Sequence, residues 1–267
     1  MMRMLVTSAA LAAPAAAMAQ APAPLPKDPL GSPMWDYHAK KLFAGSPVVF
    51  DERVQVQLPM LAENQHVLPL TVDARTIPDV QRIVIFADLN PIPVAVDYRP
   101  ISAAAFIATR IKLDQRTPVR AAVLAGDGVW HVGGAWVDAA GGGCSAPPVS
   151  RVKGDWADHL GEMRGAAWPE GDGLRLRLGL RHPMDTGLVE NIPAYNLDEL
   201  KVTDAAGKLL GAMTIWGSVS EDPSFTLLVK PSASGPVAIA ARDTNGREFD
   251  GKLALAGNGP QLAVAGQ

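Results

Sequence analysis

The chain has 267 residues, of which 48% are hydrophobic and 19% are charged, and this composition is typical of a folded protein rather than a disordered one. Its formal net charge of −3 provides no basic surface, so we expect no nucleic-acid partner. The 25 glycines and 23 prolines predict frequent turns and few long helices. The single cysteine, Cys144, excludes an intramolecular disulfide, a zinc ribbon and c-type haem attachment.

Residues 1–19 have the features of a secretory signal peptide. Arg3 precedes an apolar stretch, and a small-x-small sequence ends at Ala19. The alternative, a membrane anchor, is disfavoured because Pro14 interrupts the stretch and because a span needs ~20 apolar residues. We therefore expect cleavage after Ala19, export to the periplasm and no membrane span.

The next part of the chain predicts a short helix followed by a β-sandwich. Residues 20–45 begin with a Pro/Ala-rich arm and continue with apolar residues at helical spacing over 34–44. Residues 46–138 then divide into short apolar runs separated by proline or Asp-Gly, a pattern typical of an antiparallel immunoglobulin-like sandwich. The runs are 54–58, 66–72, 82–87, 93–98, 105–113, 119–125 and 129–137.

A second series of strands is predicted after a segment with almost no bulky apolar residues. That segment, 139–154, has glycines before Cys144 and prolines after it, which favours a linker or an exposed loop. Within 155–267 the predicted strands are 163–168, 174–181, 200–203, 208–216, 224–230, 237–241 and 247–255. The fold class is therefore expected to be all-β, with two tandem immunoglobulin-like sandwiches and a short N-terminal helix.

Several motifs resemble the sulfur oxidation proteins SoxY and SoxZ. The first half resembles SoxY through LPMLAENQHVLPLTV (58–72), ADLNPIPVAVDY (87–98) and Gly-Gly-Gly-Cys (141–144). The second half resembles SoxZ through LRLRLGLRHPMDTG (174–187), SVSEDPSF (218–225) and ARDTNGREF (241–249). The resemblance implies a SoxY-like sandwich over 46–138 fused to a SoxZ-like sandwich over 155–267. Such fusions are similar to a SoxYZ-like group that accompanies quinoprotein alcohol dehydrogenases.

The resemblance implies that Cys144 is a covalent carrier of a sulfur intermediate and that Gly141, Gly142 and Gly143 form its thin arm. It implies a protein that is not an enzyme and needs no cofactor. The implied partners are a haem enzyme that conjugates thiosulfate, a hydrolase that releases sulfate and a sulfur dehydrogenase. In SoxY the cysteine lies on a free glycine-rich tail, whereas here Pro147-Pro148 and a second domain follow it.

Two alternatives to the carrier hypothesis remain at this point. Cys144 is an incidental thiol in a linker, or the protein is an accessory or scaffolding protein for a quinoprotein dehydrogenase in which the cysteine is dispensable. No nucleophile elbow, Walker A or dinucleotide-binding motif occurs in the sequence, so it contains no recognisable catalytic motif. The histidines lack the close spacing of a local metal pair, and we expect no metal site.

Five further residues are candidates for domain contact or anion binding. His182 and Met184 lie in a turn that directly follows a predicted strand, where the simpler interpretation is a fixed strand exit. Arg175, Arg177 and Arg181 alternate with leucines, which places them on one face of that strand. Such a face is usually only solvated, and the alternative is a site for a sulfur anion or an acidic partner.

Overall fold

The computed structural model describes residues 23–255, so the expected signal peptide at 1–19 lies outside the described residues. The described elements are mostly strands. In chain order they are α1 (Trp35–Phe43), β1 (Val48–Phe50), β2 (Gln55–Gln57), β3 (Leu68–Asp73), β4 (Val80–Ala87), β5 (Val94–Pro100), β6 (Ala103–Ile111), β7 (Thr117–Ala125), β8 (Trp130–Val137), α2 (Val149–Lys153), β9 (Met163–Glu170), β10 (Gly173–Leu180), β11 (Leu197–Thr203), β12 (Leu209–Ile215), β13 (Ser224–Val229), β14 (Val237–Asp243) and β15 (Glu248–Leu253).

The strands form two sheets. One has nine strands in the order β1-β8-β7-β4-β5-β12-β11-β14-β15, and the other has six in the order β2-β3-β6-β13-β10-β9. Only β1 and β8 pair in parallel among these strands. The expected all-β fold with tandem sandwiches and a short N-terminal helix is confirmed.

The two sandwiches are joined edge to edge. In the larger sheet β5 of the first half pairs with β12 of the second, and in the smaller sheet β6 pairs with β13. Buried side chains from both halves form one continuous core that extends from Val54 to Leu253. The first half, up to β8, and the second half, from β9, are therefore parts of one body with shared sheets.

Alternation along the strands directs apolar side chains into this core. In β10 Leu176 and Leu178 are buried, whereas Arg175 and Arg177 between them are exposed. Strand β7 departs from this pattern and is buried on both faces. Its outer face is covered by α1, from which Trp35 and Phe43 pack in a second apolar cluster.

A buried ion pair fixes the N-terminal segment to the same outer face. The guanidinium of Arg120 in β7 donates to Asp88 at 3.0 Å and to Asp28 at 2.7 Å, and its side chain is 1% exposed. It also lies 4.9 Å from the ring centroid of Trp35. Because each charge has its partner within hydrogen-bonding distance, the burial of these charges is compensated.

The segment 139–154, expected to be a linker or an exposed loop, does connect the two strand series, but it is partly buried and partly helical rather than wholly exposed. Residues 149–153 form α2, and the side chains of Cys144 and Ser150 are buried. The amide of Gly143 donates to the carbonyl of Leu113 at 3.0 Å, which ties the segment to the first half. Backbone bonds and small side chains cause this burial, and neither produces an apolar sequence pattern. No helix within 23–255 is long and apolar enough to cross a membrane.

We predict that Arg120→Met lowers the free energy of unfolding by about 3 kcal/mol, because it leaves the buried carboxylates of Asp28 and Asp88 without their cation. The matched control is Lys230→Met, which removes the cation from the exposed pair with Asp172 and should leave stability almost unchanged. Urea denaturation of both variants measures the difference. Equal effects would contradict this account of the buried pair.

Candidate functional site

The glycines before Cys144 fold the chain back onto the first half. Gly141 and Gly142 have φ angles of 104° and 85°, which glycine adopts without a steric penalty. At Gly143 a Cβ atom would lie 2.3 Å from the carbonyl oxygens of both Gln65 and Leu113. We call residues 139–148 the Cys144 arm. Its glycines allow close packing of the arm against the first half.

Both halves of the protein hold the backbone of Cys144. Asp114 accepts hydrogen bonds through Oδ1 from the amide of Cys144 at 3.0 Å, the amide of Ser145 at 3.1 Å and the Ser145 hydroxyl at 3.0 Å. From the second half, the Thr186 hydroxyl donates to the carbonyl of Cys144 at 2.6 Å. The thiol is thereby held at the seam between the halves with 0% exposure.

Lys112 lies at the same seam, immediately after β6. Its Nζ donates to the carbonyl of Met184 at 2.5 Å and to that of Gly217 at 3.0 Å, both in the second half. The side chain of Asn90 holds the backbone on both sides of Leu113. Its Nδ2 donates to the Lys112 carbonyl at 2.7 Å, and its Oδ1 accepts from the Asp114 amide at 3.0 Å. One asparagine of the Leu-Asn-Pro motif thus orients both Lys112 and Asp114.

Burial determines the protonation of these groups. It raises the pKa of Cys144 to about 12, against the lowering effect of the Lys112 ammonium, and Asp114 raises that pKa further. Burial also lowers the pKa of Lys112 to about 8, and Cys144, Asp185 and Glu221 oppose this shift when they are ionised. At neutral pH the docked thiol is therefore neutral beside a protonated lysine. Because the thiolate is the nucleophile, the docked arm protects Cys144 from reaction.

His182 and Met184 shape the turn of the second half that faces the arm. The Nδ1 of His182 accepts the Met184 amide at 3.1 Å, and Met184 has a φ of 53°. The His182 ring lies 4.6 Å from that of Tyr195, and its Nε2 lies 3.8 Å from Asp243 without a hydrogen-bond partner in the described residues. The carbonyl of Met184 in this turn accepts the hydrogen bond from Lys112, so the turn contacts the first half. Burial lowers the pKa of His182 to about 4.

The far end of the arm is anchored by α2. The carboxylate of Glu221 accepts the amides of Val149 and Ser150, each at 2.7 Å. Arg151 pairs with the buried Asp185 and lies 3.8 Å from the ring centroid of Trp156. The arm is thus attached at both ends to folded elements.

The structure does not bring the three candidate arginines to the thiol. Arg175 is exposed, 5.2 Å from the Trp168 ring centroid and 3.6 Å from Glu170, and Arg177 is exposed on the same face of β10. Arg181 forms an ion pair with Asp222. No cluster of three or more His, Cys, Asp or Glu side chains suited to a metal occurs within residues 23–255.

The residues that hold the backbone of Cys144 and build its surroundings were not predicted from the sequence: Lys112, Asp114, Asn90 and Thr186. These side chains come from strands and turns that are distant from Cys144 along the chain. The sole available signal was their position in or beside the motifs that resemble SoxY and SoxZ. Asn90 belongs to the Leu-Asn-Pro motif, and Thr186 belongs to His-Pro-Met-Asp-Thr-Gly.

We predict that Asp114→Ala accelerates labelling of Cys144 by a disulfide reagent at least about tenfold, because the arm loses hydrogen bonds to a carboxylate. The control Asp127→Ala removes a carboxylate that accepts only the amide of Val129 in its own exposed turn, and the labelling rate should not change. Circular dichroism verifies that both variants are folded. A labelling rate unchanged by Asp114→Ala would show that these bonds do not restrain the arm.

A pH dependence follows from His182. Its pKa is about 4 in the folded protein and ~6.5 when unfolded, so only the unfolded chain binds this proton between those values. Stability should therefore fall by about 3 kcal/mol as the pH decreases from ~6.5 to ~4. His182→Gln should flatten this part of the stability profile relative to that of the wild type. Urea denaturation at a series of pH values measures both slopes.

Comparison with known proteins gives two adjoining family matches. Residues 39–144 match the model for the sulfur oxidation protein SoxY, and residues 163–254 match the model for the sulphur oxidation protein SoxZ. The comparison with curated proteins returned no significant match.

Solved structures add only distant similarities. The sulfur carrier protein SoxY from Chlorobium limicola f thiosulfatophilum is 25% identical, with 39% of this chain and 88% of that chain covered and a TM-score of 0.34. A β-glycosidase from Bacteroides vulgatus is 8% identical, with 79% and 25% of the respective chains covered and a TM-score of 0.24. The family models carry the assignment: the chain belongs to the SoxY and SoxZ families of sulfur oxidation proteins, with a SoxY domain followed by a SoxZ domain in one polypeptide.

Proposed function

We propose that this protein is a periplasmic sulfur carrier in which Cys144 holds a sulfur-containing intermediate covalently while separate enzymes act on it. The observation that carries the proposal is the position of the thiol. Cys144 is the chain's only cysteine, it is the last residue of the SoxY match, and side chains of both domains hold it at their seam. An incidental thiol in a linker does not need such a setting.

Carrier chemistry in this protein requires the arm to leave its docked position. The docked thiol has a pKa of about 12, whereas a solvated thiol has a pKa of ~8.5 and supplies a reactive thiolate more readily. Release breaks the bonds to Asp114 and Thr186, and each net hydrogen bond contributes ~1 kcal/mol. We infer that docking protects the thiol between reactions and that a partner enzyme stabilises the released arm.

Exposed apolar side chains beside the ends of the arm support docking by such partners. Leu61 forms a β-bridge with Asp138 at the start of the arm and is 60% exposed, next to the more exposed Met60. Val152 in α2, at the other end, is 73% exposed. Exposed apolar groups of this kind often mark protein interaction sites. The partners proposed are the Sox-type haem enzyme, sulfate-releasing hydrolase and sulfur dehydrogenase.

The full burial of Cys144 favours a second candidate function. A thiol that stays docked does not react, and the protein would then act as an accessory or scaffolding protein for a periplasmic quinoprotein alcohol dehydrogenase, bound through its exposed faces. In that case Cys144 is a packing residue and its chemistry is dispensable. The two candidates differ in whether function survives removal of the sulfur atom.

The carrier proposal predicts that tetrathionate modifies the purified protein at Cys144. The thiolate attacks an inner sulfur of tetrathionate, the central S–S bond breaks, and thiosulfate leaves with the bonding electrons, so that Cys–S–S–SO₃⁻ remains. Intact-mass measurement and peptide mapping should detect this adduct in the wild type and not in Cys144→Ser. The matched control Ser145→Ala changes the neighbouring arm residue, keeps the thiol and should still form the adduct.

A test in the native host distinguishes the candidates. Cell fractionation should place the protein in the periplasm, and mass measurement of the isolated protein should reveal a sulfur adduct on Cys144. The carrier proposal fails if the wild type remains unmodified while alcohol oxidation by a co-expressed quinoprotein dehydrogenase depends on this protein and survives Cys144→Ser. That result would support the accessory function.

A further inference from the structure

Lys112 is a buried cation without a carboxylate partner. Its side chain is 4% exposed, and no salt bridge joins it to an acidic residue within the described range 23–255. Lysine is rarely buried in this way unless an opposite charge compensates it. Two carbonyl oxygens, from Met184 and Gly217, accept hydrogen bonds from Nζ. An ammonium group has three N–H donors, so one N–H of Lys112 is still available to a further acceptor.

The acidic groups around Lys112 are already occupied by other partners. Asp185 is paired with Arg151, and Glu221 accepts two amides of α2. Asp114 accepts the amides and hydroxyl of the Cys144 arm. Among the acidic groups that raise the pKa of Lys112, Cys144 has the largest effect, but its docked thiol is neutral at neutral pH. An anionic group attached to the sulfur atom would therefore bring to this position the negative charge that the neutral thiol lacks.

We propose that Lys112 is the countercharge for an anionic sulfur group attached to Cys144, so that the docked site selects a negatively charged adduct, a thiosulfonate or a persulfide. This inference rests on the proposed carrier function and adds the charge of its cargo. An anion on the sulfur compensates the buried ammonium, and the ammonium in turn stabilises the anion away from water. A neutral adduct provides no such compensation.

The SoxZ domain completes this site. The carbonyl groups that hold the Lys112 ammonium belong to the His-Pro-Met-Asp-Thr-Gly turn and to Gly217, whereas Lys112 and Cys144 both belong to the SoxY half. The second domain thus positions a charge for a sulfur atom that the first domain carries. Lys112 is accordingly a positioning and charge-compensating residue.

The test compares two adducts on the same sulfur atom. Tetrathionate gives the anionic Cys–S–S–SO₃⁻ as above. Methyl methanethiosulfonate gives the neutral Cys–S–S–CH₃: the thiolate attacks the methylthio sulfur and methanesulfinate leaves with the bonding electrons. The readout is the pKa of Lys112, followed by NMR through its ¹³Cε resonance and assigned by the absence of that resonance in Lys112→Met.

We expect the pKa of Lys112 to rise from about 8 to above about 9 with the anionic adduct and to stay near or below 8 with the neutral one. An equal rise with both adducts would mean that modification merely displaces the arm and exposes the lysine to water. Equal rises, or no rise with the anionic adduct, would overturn the proposal.

A second comparison needs no sulfur chemistry. Cys144→Asp puts a fixed negative charge on the arm, and Cys144→Asn is its uncharged match in size. The pKa of Lys112 should be higher in the Asp variant by at least one unit, and equal values would overturn the proposal. Because neither variant can carry sulfur, this result separates the role of Lys112 from the carrier function. A positive result here with no tetrathionate adduct would reject the carrier function alone.

Discussion

Strand pairing between the two domains determines the positions of Lys112, Asp114 and the Cys144 arm. The pairing of β6 with β13 fixes the end of β6, and with it Lys112 and Asp114, against the turn that leaves β10. Both of the carbonyls that hold the Lys112 ammonium come from the second domain, so this position depends on the edge-to-edge union of the sheets. The Cys144 arm then crosses the seam that the union creates. The continuous sheets thus hold the parts of the site in place.

Burial at the seam between the domains makes the Cys144 thiol less reactive and also protects it from oxidation. A thiol held at 0% exposure, with its pKa raised to about 12, is poorly suited to attack a sulfur compound. In the periplasm proposed for this protein, an exposed thiol without a disulfide partner would, however, be vulnerable to oxidation. Docking reduces this hazard while the arm is idle. Reactivity then depends on how often the arm opens, and this frequency is set by the hydrogen bonds of Asp114 and Thr186.

The strands could be predicted from the sequence because each has its own local pattern. Alternation in β10 and the Asn-Gly turn between β14 and β15 indicate these elements without knowledge of their neighbours. The continuity of the sheets could not be predicted, since the pairing of β5 with β12 leaves no local pattern. The burial of Cys144 was missed for the same reason. Glycine-rich sequence indicates conformational freedom, and here that freedom serves close packing of Gly143 against Leu113.

Attachment at both ends limits how the thiol reaches a partner. The chain from Val137 at the end of β8 to Val149 at the start of α2 has a maximum length of ~40 Å at ~3.3 Å per residue, and a loop tethered at both ends projects at most half of this, ~20 Å. The Pro147-Pro148 pair stiffens the returning side and shortens the projection. Under the proposed carrier function, a partner enzyme must therefore admit two chain segments side by side, whereas a free tail needs room for only one. It follows that an enzyme serving this fusion needs a wider and shallower entrance to its active site than one serving a free SoxY tail.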